Sequence, residues 1–448
     1  MFVRRLATTI IRKVADGGFV VNSETGLNCV VNQTGLLFIS AIKNRPQYTD
    51  TIVQQLQVNF EDVEIEELKN DFTEFCLQMA EKHFVVVADN VEDINTNALK
   101  ALHIDITHGC NERCIHCYLP NSKKDEDERF PLVKFYQIID QLVELGGEKV
   151  TLSGGEPLMH PSINLMMQYC GRKGIETTLF SNLLLLNEDI INIMTSSNVK
   201  SVQTSVYSLN PTVHDGITKR KGSLKKTLSA IDCLLDNGID VQIACPVMIQ
   251  NKDDIEDMME FSQKKHIKLR MNSLIWAKTD GDDSFVNTHS LTFNQKRDFI
   301  CKMMETDSKY TKGTLLELNH YNEDFYRDPS HFLNSGLCSA GVSTCAISPS
   351  GDVFPCVEWQ SYKLGNIYEQ SLSEIWYDGT PIHLLRQINK QSRFKKCLEC
   401  EALNYCKRCL KYNEVSNNGE LLRINPQNCD YAWMVKSIVE EYKANQLL

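Results

Sequence analysis

The sequence predicts an α/β protein whose central part is a parallel sheet, flanked by a small α+β module and by an irregular, cysteine-rich segment. Three patterns predict it. Between residues 102 and 275, six short β-branched runs alternate with amphipathic helical stretches, as repeated βα units do. Before them strands come first and helices second. After residue 334 periodicity fades and cysteines crowd together. At 448 residues the chain is too long for one compact core, and about three domains are expected. The pattern divides it at 1–95, 96–310 and 311–448.

In the first segment, runs at 8–14, 19–22 and 28–32 read as strands, punctuated by Gly17-Gly18 and by Glu24-Thr25-Gly26. Leu36, Leu37, Ile39 and Ile42 then share a helical face, followed by Ile52, Leu56 and Val58. A longer helix over 64–82 aligns Leu68, Phe72, Phe75, Cys76 and Met79, and a strand at 83–88 closes the segment. Three strands, three helices and a final strand suggest a winged-helix-like module. Residues 89–100 read as a polar linker. In the second segment, strands read at 102–106, 149–152, 176–180, 201–206, 241–247 and 268–275. Amphipathic helices lie between them, such as the one carrying Leu132, Phe135, Ile139, Leu142 and Leu145. Ligand sites of such a sheet lie beyond the C-terminal ends of its strands. A helix over 433–442 finishes the third segment.

A net charge of −11 disfavours nucleic acid as a partner, because phosphate binding needs a clustered basic surface. The tracts Lys219-Arg220-Lys221 and 393–396 read as solvated loops. No apolar run approaches the ~20 residues of a membrane helix, so no membrane partner is expected. The N-terminal stretch with Arg4, Arg5 and Arg12 lacks an uninterrupted apolar core and a small-residue cleavage site, and reads as an amphipathic strand. The expected location is cytoplasmic.

The 17 cysteines are therefore the anomaly, since a reducing cytosol does not maintain structural disulfides. Cys110, Cys114 and Cys117 crowd together, and eight more fall between Cys338 and Cys429. Cys29, Cys76, Cys170, Cys233, Cys245 and Cys301 stand singly in apolar contexts and read as small buried hydrophobes.

The first barrel strand runs into Thr107-His108-Gly109-Cys110-Asn111-Glu112-Arg113-Cys114-Ile115-His116-Cys117, a C-x3-C-x2-C loop. Three thiolates around a [4Fe–4S] cluster leave one iron open. A zinc knuckle completed by His116 is the other reading of these residues. The next strand ends in Ser153-Gly154-Gly155-Glu156-Pro157, where two glycines permit close backbone approach and the carboxylate suits an ammonium. Together the two motifs resemble the radical S-adenosylmethionine (SAM) superfamily over about 102–275. The resemblance implies a partial (β/α)6, TIM-like barrel. It also implies that Cys110, Cys114 and Cys117 hold the cluster whose open iron is chelated by SAM. By the same likeness Gly154, Gly155 and Glu156 bind the methionyl amine, and Ser181, Asn182 and Ser205 contact the ribose. The family often has an acidic residue two places after that last serine; here it is Tyr207.

The third segment reads C-x6-C-x10-C at Cys338, Cys345 and Cys356, then C-x2-C-x5-C-x2-C at Cys397, Cys400, Cys406 and Cys409, then Cys429. With Ser348-Pro349-Ser350-Gly351-Asp352 and the Leu364-Gly365-Asn366-Ile367 turn, it resembles the SPASM extension of radical SAM enzymes. The likeness assigns Cys338, Cys345, Cys356 and Cys409 to one auxiliary [4Fe–4S] cluster. Cys397, Cys400, Cys406 and Cys429 go to a second, which makes three clusters in all. The last spacing in the family is usually C-x3-C. A zinc ribbon on 397–409 is the alternative, and it leaves the other four cysteines unexplained.

The first segment resembles the leader-recognition module of peptide maturases, similar to the small pyrroloquinoline-quinone chaperone. Such a module would take a precursor peptide as an added strand at 28–32, beside the helix at 64–82. The acidic stretch 61–67 argues against a DNA-reading role for it. The layout thus resembles maturases that form thioethers from cysteine sulfur to carbon, and His214-Asp215 followed by Lys219-Arg220-Lys221-Gly222-Ser223 adds to this likeness. Carbon–carbon cross-linking maturases share the layout. Sulfatase-maturing enzymes share the clusters but carry an aspartate where Val357 stands. The resemblance implies an external electron donor such as flavodoxin or ferredoxin. A non-catalytic iron–sulfur scaffold is the reading from outside enzymology, and it would have no use for the Gly154-Gly155-Glu156 cradle.

Overall fold

A computed structural model of the chain describes every residue except Ala7, Glu24, Arg45, Glu61, 91–96, 121–127, Asp280, 307–327 and 447–448. The expected borders at 95/96 and 310/311, half of the linker at 89–100, Glu24 of the first turn and Glu61 of the acidic stretch lie outside the described residues. Two compact units form, residues 1–98 with 369–384, and residues 99–368 with 385–448.

In the first unit, β1 (Phe2–Arg5), β2 (Thr9–Val14), β3 (Gly17–Asn22) and β4 (Asn28–Val31) precede α1 (Gln33–Ala41), β5 (Gln47–Tyr48), α2 (Thr49–Leu56), α3 (Ile65–Glu81) and β6 (Val85–Ala88). The strands make two antiparallel sheets, β2-β3-β4 and β5-β1-β6. The single N-terminal strand read from sequence is thus two, parted by a turn in which Thr9 N donates to Leu6 O. Asn32 caps α1 through a 2.8 Å bond from Gly35 N. The helices meet on Phe38, which packs edge-on against Phe72 and Phe75 at 5.2 and 5.5 Å. Val20, Ile39, Ile52 and Phe72 are fully buried around them, and apolar burial of this kind is worth about 1.5–3 kcal/mol per large side chain.

A short helix from the far end of the chain, α11 (Leu372–Tyr377), belongs to this unit. A capping box between Ser371 and Glu374 starts it. Its Trp376 is wholly buried and donates its indole N–H to Asn97 O at 2.6 Å. The sequence offered no sign that this stretch departs from the cysteine-rich segment around it.

The second unit alternates β7 (Ala101–Thr107), α4 (Leu132–Glu144), β8 (Lys149–Gly154), α5 (Ile163–Arg172), β9 (Glu176–Phe180), α6 (Glu188–Ser196), β10 (Val199–Ser205), α7 (Pro211–Thr218), α8 (Ser223–Asp236), β11 (Asp240–Pro246), α9 (Ile255–Lys265) and β12 (Lys268–Asn272). Strands β7 to β12 lie side by side in chain order, all parallel, as the βα reading requires. The sheet does not end at β7. Strand β13 (Thr344–Ile347) pairs with it in parallel, Cys345 opposite Leu102, and β14 (Asp352–Phe354) and β15 (Gly365–Asn366) continue antiparallel. The cysteine-rich segment is therefore built onto the edge of the α/β sheet. Along β7, Leu102, Ile104 and Ile106 alternate with His103, Asp105 and Thr107, and the polar row runs toward the site. Helices α10 (Phe293–Thr306), α12 (Thr380–Ile388), α13 (Leu410–Ser416) and α14 (Pro426–Gln446) complete the described elements that matter below.

The six isolated cysteines divide. Cys76, Cys170 and Cys245 are buried, and burial pushes each thiol up to about 12. Cys29 and Cys301 are only half-buried, and Cys233 is exposed on α8, contrary to the sequence expectation. A polar face of an amphipathic helix explains Cys233: Asp232 and Asp236 flank it.

Candidate active site and cluster ligands

The C-x3-C-x2-C loop leaves the C-terminal end of β7 and is stitched to the end of β8 by main chain. Gly155 N donates to Thr107 O and Glu156 N to Gly109 O, both at 2.8 Å. A Cβ on Gly154 would sit 2.0 Å from Thr107 O, and one on Gly155 would sit 2.2 Å from Gly109 O. Gly154 also has φ +133°, a conformation other residues avoid. Both glycines are required by backbone-to-backbone approach.

The far side of the loop is held by the turn after α7. Arg113 N donates to Thr218 O and Ile115 N to Ile217 O, each at 3.0 Å, while Arg220 Nη1 reaches Asn111 O at 2.7 Å. Inside the loop, Arg113 Nη1 donates to Cys110 O at 2.6 Å. Cys110 Sγ accepts from Glu112 N at 3.5 Å, and Cys114 Sγ donates to the buried Glu112 carboxylate at 3.6 Å. His116 packs edge-on against Tyr207 at 4.9 Å, as a packing residue does. Tyr207 is itself buried, and its ring also meets His214 at 5.4 Å. Tyr207 thus has a packing role at the position where the resemblance leads one to expect an acid. Ser205, at the end of β10, hydrogen-bonds the Tyr207 phenol.

Glu156 is fully buried. Its Oε1 accepts from Ser181 Oγ at 2.6 Å and Leu158 N at 3.0 Å, and its Oε2 accepts from Asn182 N at 2.7 Å. Asn182 in turn reaches Asn111 Oδ1 at 2.6 Å, so the carboxylate, the ribose-type positions and the cysteine loop form one network. Burial raises the Glu156 carboxyl to about 7, against these bonds. All three donors are neutral, so a cationic amine is the partner class that would settle its charge. The site thus fits the methionyl ammonium of SAM.

The structure brings the later cysteines together in two groups. Cys338, Cys356 and Cys409 lie within electrostatic reach of one another, and so do Cys397, Cys400, Cys406 and Cys429. Burial pushes Cys356 up to about 12 and Cys406 to about 11, with the buried Arg408 guanidinium pulling Cys397 and Cys406 back. Cys345 is buried in β13, its thiol likewise raised to about 12 by burial and opposed by Arg386. Asn389 holds the Cys338 loop, accepting from Leu337 N at 3.0 Å and donating to Ala340 O at 3.0 Å. Among the described residues no three His, Cys, Asp or Glu side chains close into a cage for one metal ion. Thiolates that each bind a different iron of a cluster stand wider apart than zinc ligands do.

Sequence reasoning missed two polar groups beside these cysteines. Tyr118, next to Cys117, donates to Asp105 Oδ2 at 3.5 Å, and Asp105 pairs with His103 at 3.3 Å. Glu358, two places after Cys356, accepts from Tyr412 Oη at 2.8 Å and raises the Tyr118 phenol from a distance. Tyr412 stacks on Trp276 with ring centroids 3.5 Å apart. The signal the sequence offers for the second is an acid two places after Cys356.

Two family models match the chain, the radical SAM superfamily over residues 104–262 and the SPASM iron–sulfur cluster-binding domain over 338–409. The chain is 28% identical to the antilisterial bacteriocin subtilosin biosynthesis protein AlbA of Bacillus subtilis, over 68% of this chain and 66% of that one. It is 23% identical to the mycofactocin maturase MftC of Mycolicibacterium smegmatis, over 68% and 76%. Its fold is similar to that of Streptococcus suis SuiB bound to the precursor peptide SuiA, with TM-score 0.59 and 15% identity across 95% of this chain and 99% of that one. It also resembles anSMEcpe with bound AdoMet, with TM-score 0.59 and 17% identity over 78% and 93%.

Proposed function

We propose that this chain, which matches the radical SAM and SPASM iron–sulfur family models, is a radical SAM enzyme that modifies a ribosomally made precursor peptide, installing a thioether from cysteine sulfur to carbon. One observation carries the catalytic half of this reading. A buried carboxylate with no cationic partner among the described residues, Glu156, is wired through Asn182 to the loop of Cys110, Cys114 and Cys117.

In this reading Cys110, Cys114 and Cys117 hold the catalytic [4Fe–4S] cluster, Glu156 with Gly154 and Gly155 seats the SAM amine, and Ser181, Asn182 and Ser205 seat its ribose. Cys338, Cys345, Cys356 and Cys409 hold one auxiliary cluster; Cys397, Cys400, Cys406 and Cys429 hold the other. Held by Cys110, Cys114 and Cys117, such a cluster would supply one-electron reductive cleavage of SAM and, through it, hydrogen abstraction from the peptide. The protein's share is placement. The β8 backbone fixes the loop, and Glu156 orients the amine. An external flavodoxin or ferredoxin supplies electrons, and a reducing cytoplasm suits the thiols.

The peptide half rests on the first unit and on the relatives. Strand β4 pairs only with β3 among the described residues, and its Val30 side chain is 74% exposed. Such an edge accepts an added strand, so a leader peptide would lie there beside α3. The test is anaerobic co-expression with a short open reading frame neighbouring the gene, followed by mass spectrometry of the peptide and an assay for 5′-deoxyadenosine. Loss of two hydrogens per cross-link from a cysteine-containing peptide is the expected result. No 5′-deoxyadenosine from the reconstituted enzyme under dithionite would refute the catalytic half.

A further inference from the structure

Cys114 and Cys117 also line a cavity of about 330 Å³ together with Arg113, Lys219, His289 and Lys278, the last paired with Asp282 at 2.5 Å. None of the residues proposed to seat SAM lines it. From Lys219 a cationic tract continues over the surface: Lys219, Arg220, Lys221, Lys225 and Lys226 are all exposed. No acid stands between Asp215 and Asp232 to neutralise them. Asp215 itself is occupied, accepting from Gly222 N at 2.5 Å, Ser223 Oγ at 3.0 Å and Leu224 N at 3.1 Å.

The tract is a solvated loop, as its composition indicates, but it is not untethered. Arg220, with the main-chain bonds at Thr218 and Ile217, fastens it to the backbone of the cysteine loop. Five exposed cations thus lie on a segment fastened to the cysteine loop, in a chain whose net charge is −11. An acidic protein is repelled by most of such a surface and steered to this face.

We infer that the Lys219–Lys226 face is the docking surface for an acidic, flavodoxin-like one-electron carrier. The inference rests on the catalytic reading above, which needs electrons from outside. In the transfer the carrier loses one electron and the cysteine-held cluster gains it; no bond or proton changes hands. The surface does what the chemistry needs, bringing the donor to the loop's cavity side while SAM is handled at Glu156.

The test uses the full-length reconstituted enzyme and a charge reversal away from both the cavity wall and the loop bonds, K221E/K225E/K226E. A matched reversal of exposed or part-exposed lysines elsewhere on the same unit, K200E/K264E/K268E, serves as control. Binding of oxidised bacterial flavodoxin is measured by calorimetry without SAM, and SAM cleavage is measured with reduced flavodoxin and with dithionite. At low salt the tract variant should lose about tenfold in flavodoxin affinity and in flavodoxin-driven cleavage, an advantage that salt screens away. Its dithionite-driven cleavage should equal that of the unaltered enzyme. Equal flavodoxin affinity in the two, or an equal loss in the control, overturns the docking surface. So does a loss under dithionite, or a selective loss of precursor-peptide binding, either of which would assign the tract to substrate or cofactor. If the unaltered enzyme binds flavodoxin at this face but cleaves no SAM under dithionite, the catalytic reading fails while the surface stands.

Discussion

Ser181 Oγ donates a 2.6 Å hydrogen bond to Glu156 Oε1, joining the ends of two neighbouring strands through a carboxylate with no exposed surface. Replacing Glu156 by Ala leaves Ser181 Oγ, Asn182 N and Leu158 N facing a void. Each unmet buried donor costs about 1–3 kcal/mol. E156A should therefore unfold at clearly lower urea than the unaltered chain even without cofactor, and SAM should no longer stabilise it. E156Q keeps the volume and should lose less stability but as much of the SAM effect. Urea titrations with and without SAM measure both. Wild-type stability in E156A would mean that the network merely decorates the site.

Gly155→Ala places a methyl 2.2 Å from Gly109 O, backbone that cannot turn aside as a side chain would. The cysteine loop must shift, and the expected outcome is a folded protein that retains less iron after anaerobic reconstitution. Gly216→Ala is the control, since its added carbon meets nothing within 4 Å and its site is helical. That change should be neutral or stabilising by about 0.5–1 kcal/mol.

His214 is buried against Tyr207, and burial lowers its pKa to about 4. The neutral ring is the one the fold accepts, while the unfolded chain protonates near 6.5. Its contribution is therefore complete above about pH 6.5 and is lost progressively as pH falls toward 4, by roughly 3 kcal/mol in total. His214→Gln should flatten the acid side of the stability profile between pH 6.5 and 4. An unchanged slope there would show that other groups carry the acid sensitivity.

Three clusters predict roughly twelve irons and twelve sulfides per chain. C110A/C114A/C117A and C397A/C400A should each hold about eight, and only the first should abolish 5′-deoxyadenosine outright. Metal binding and folding are coupled in the cysteine-rich segment, so a compactness check by gel filtration accompanies the second. About four irons in the unaltered protein would refute the assignment of the auxiliary cysteines.

Leader capture by β4 is tested better by substitution than by truncation. Removing residues 1–95 would strip the cover from Trp376, which is wholly buried in that unit. Val30→Pro deletes a main-chain donor on the edge strand instead. Peptide modification at micromolar substrate should fall steeply while 5′-deoxyadenosine formation persists, and millimolar core peptide should recover part of it, as loss of a tether predicts. Full modification by a folded V30P enzyme would remove β4 from recognition.

The βα alternation was legible because the strands from β7 to β11 carry β-branched residues and the helices between them carry apolar stripes. The cysteine loop and the Glu156 cradle were legible as spacing. What spacing does not encode is who touches whom. The pairing of β13 with β7 joins four-residue and seven-residue runs more than two hundred residues apart, and no local period announces it. The sequence likewise shows Gly155 without Gly109 O above it, and Glu358 without Tyr412. His214-Asp215 read as a family mark. In the structure His214 packs on Tyr207 and Asp215 holds the first turn of α8, so both have local reasons to be there.

The insertion of β13 beside β7 also sets an order of events on the ribosome. Ala101 faces Thr344 in that pair, so the partner strand emerges some 240 residues after the edge it covers. At about 5–20 residues per second, β7 waits on the order of 12–50 s with an unpaired margin. A bare strand edge is a template for pairing with another nascent chain. Slow translation or crowded polysomes should thus favour aggregation of this protein, and a chaperone that shields the β7 edge during synthesis should raise its yield more than one acting after release.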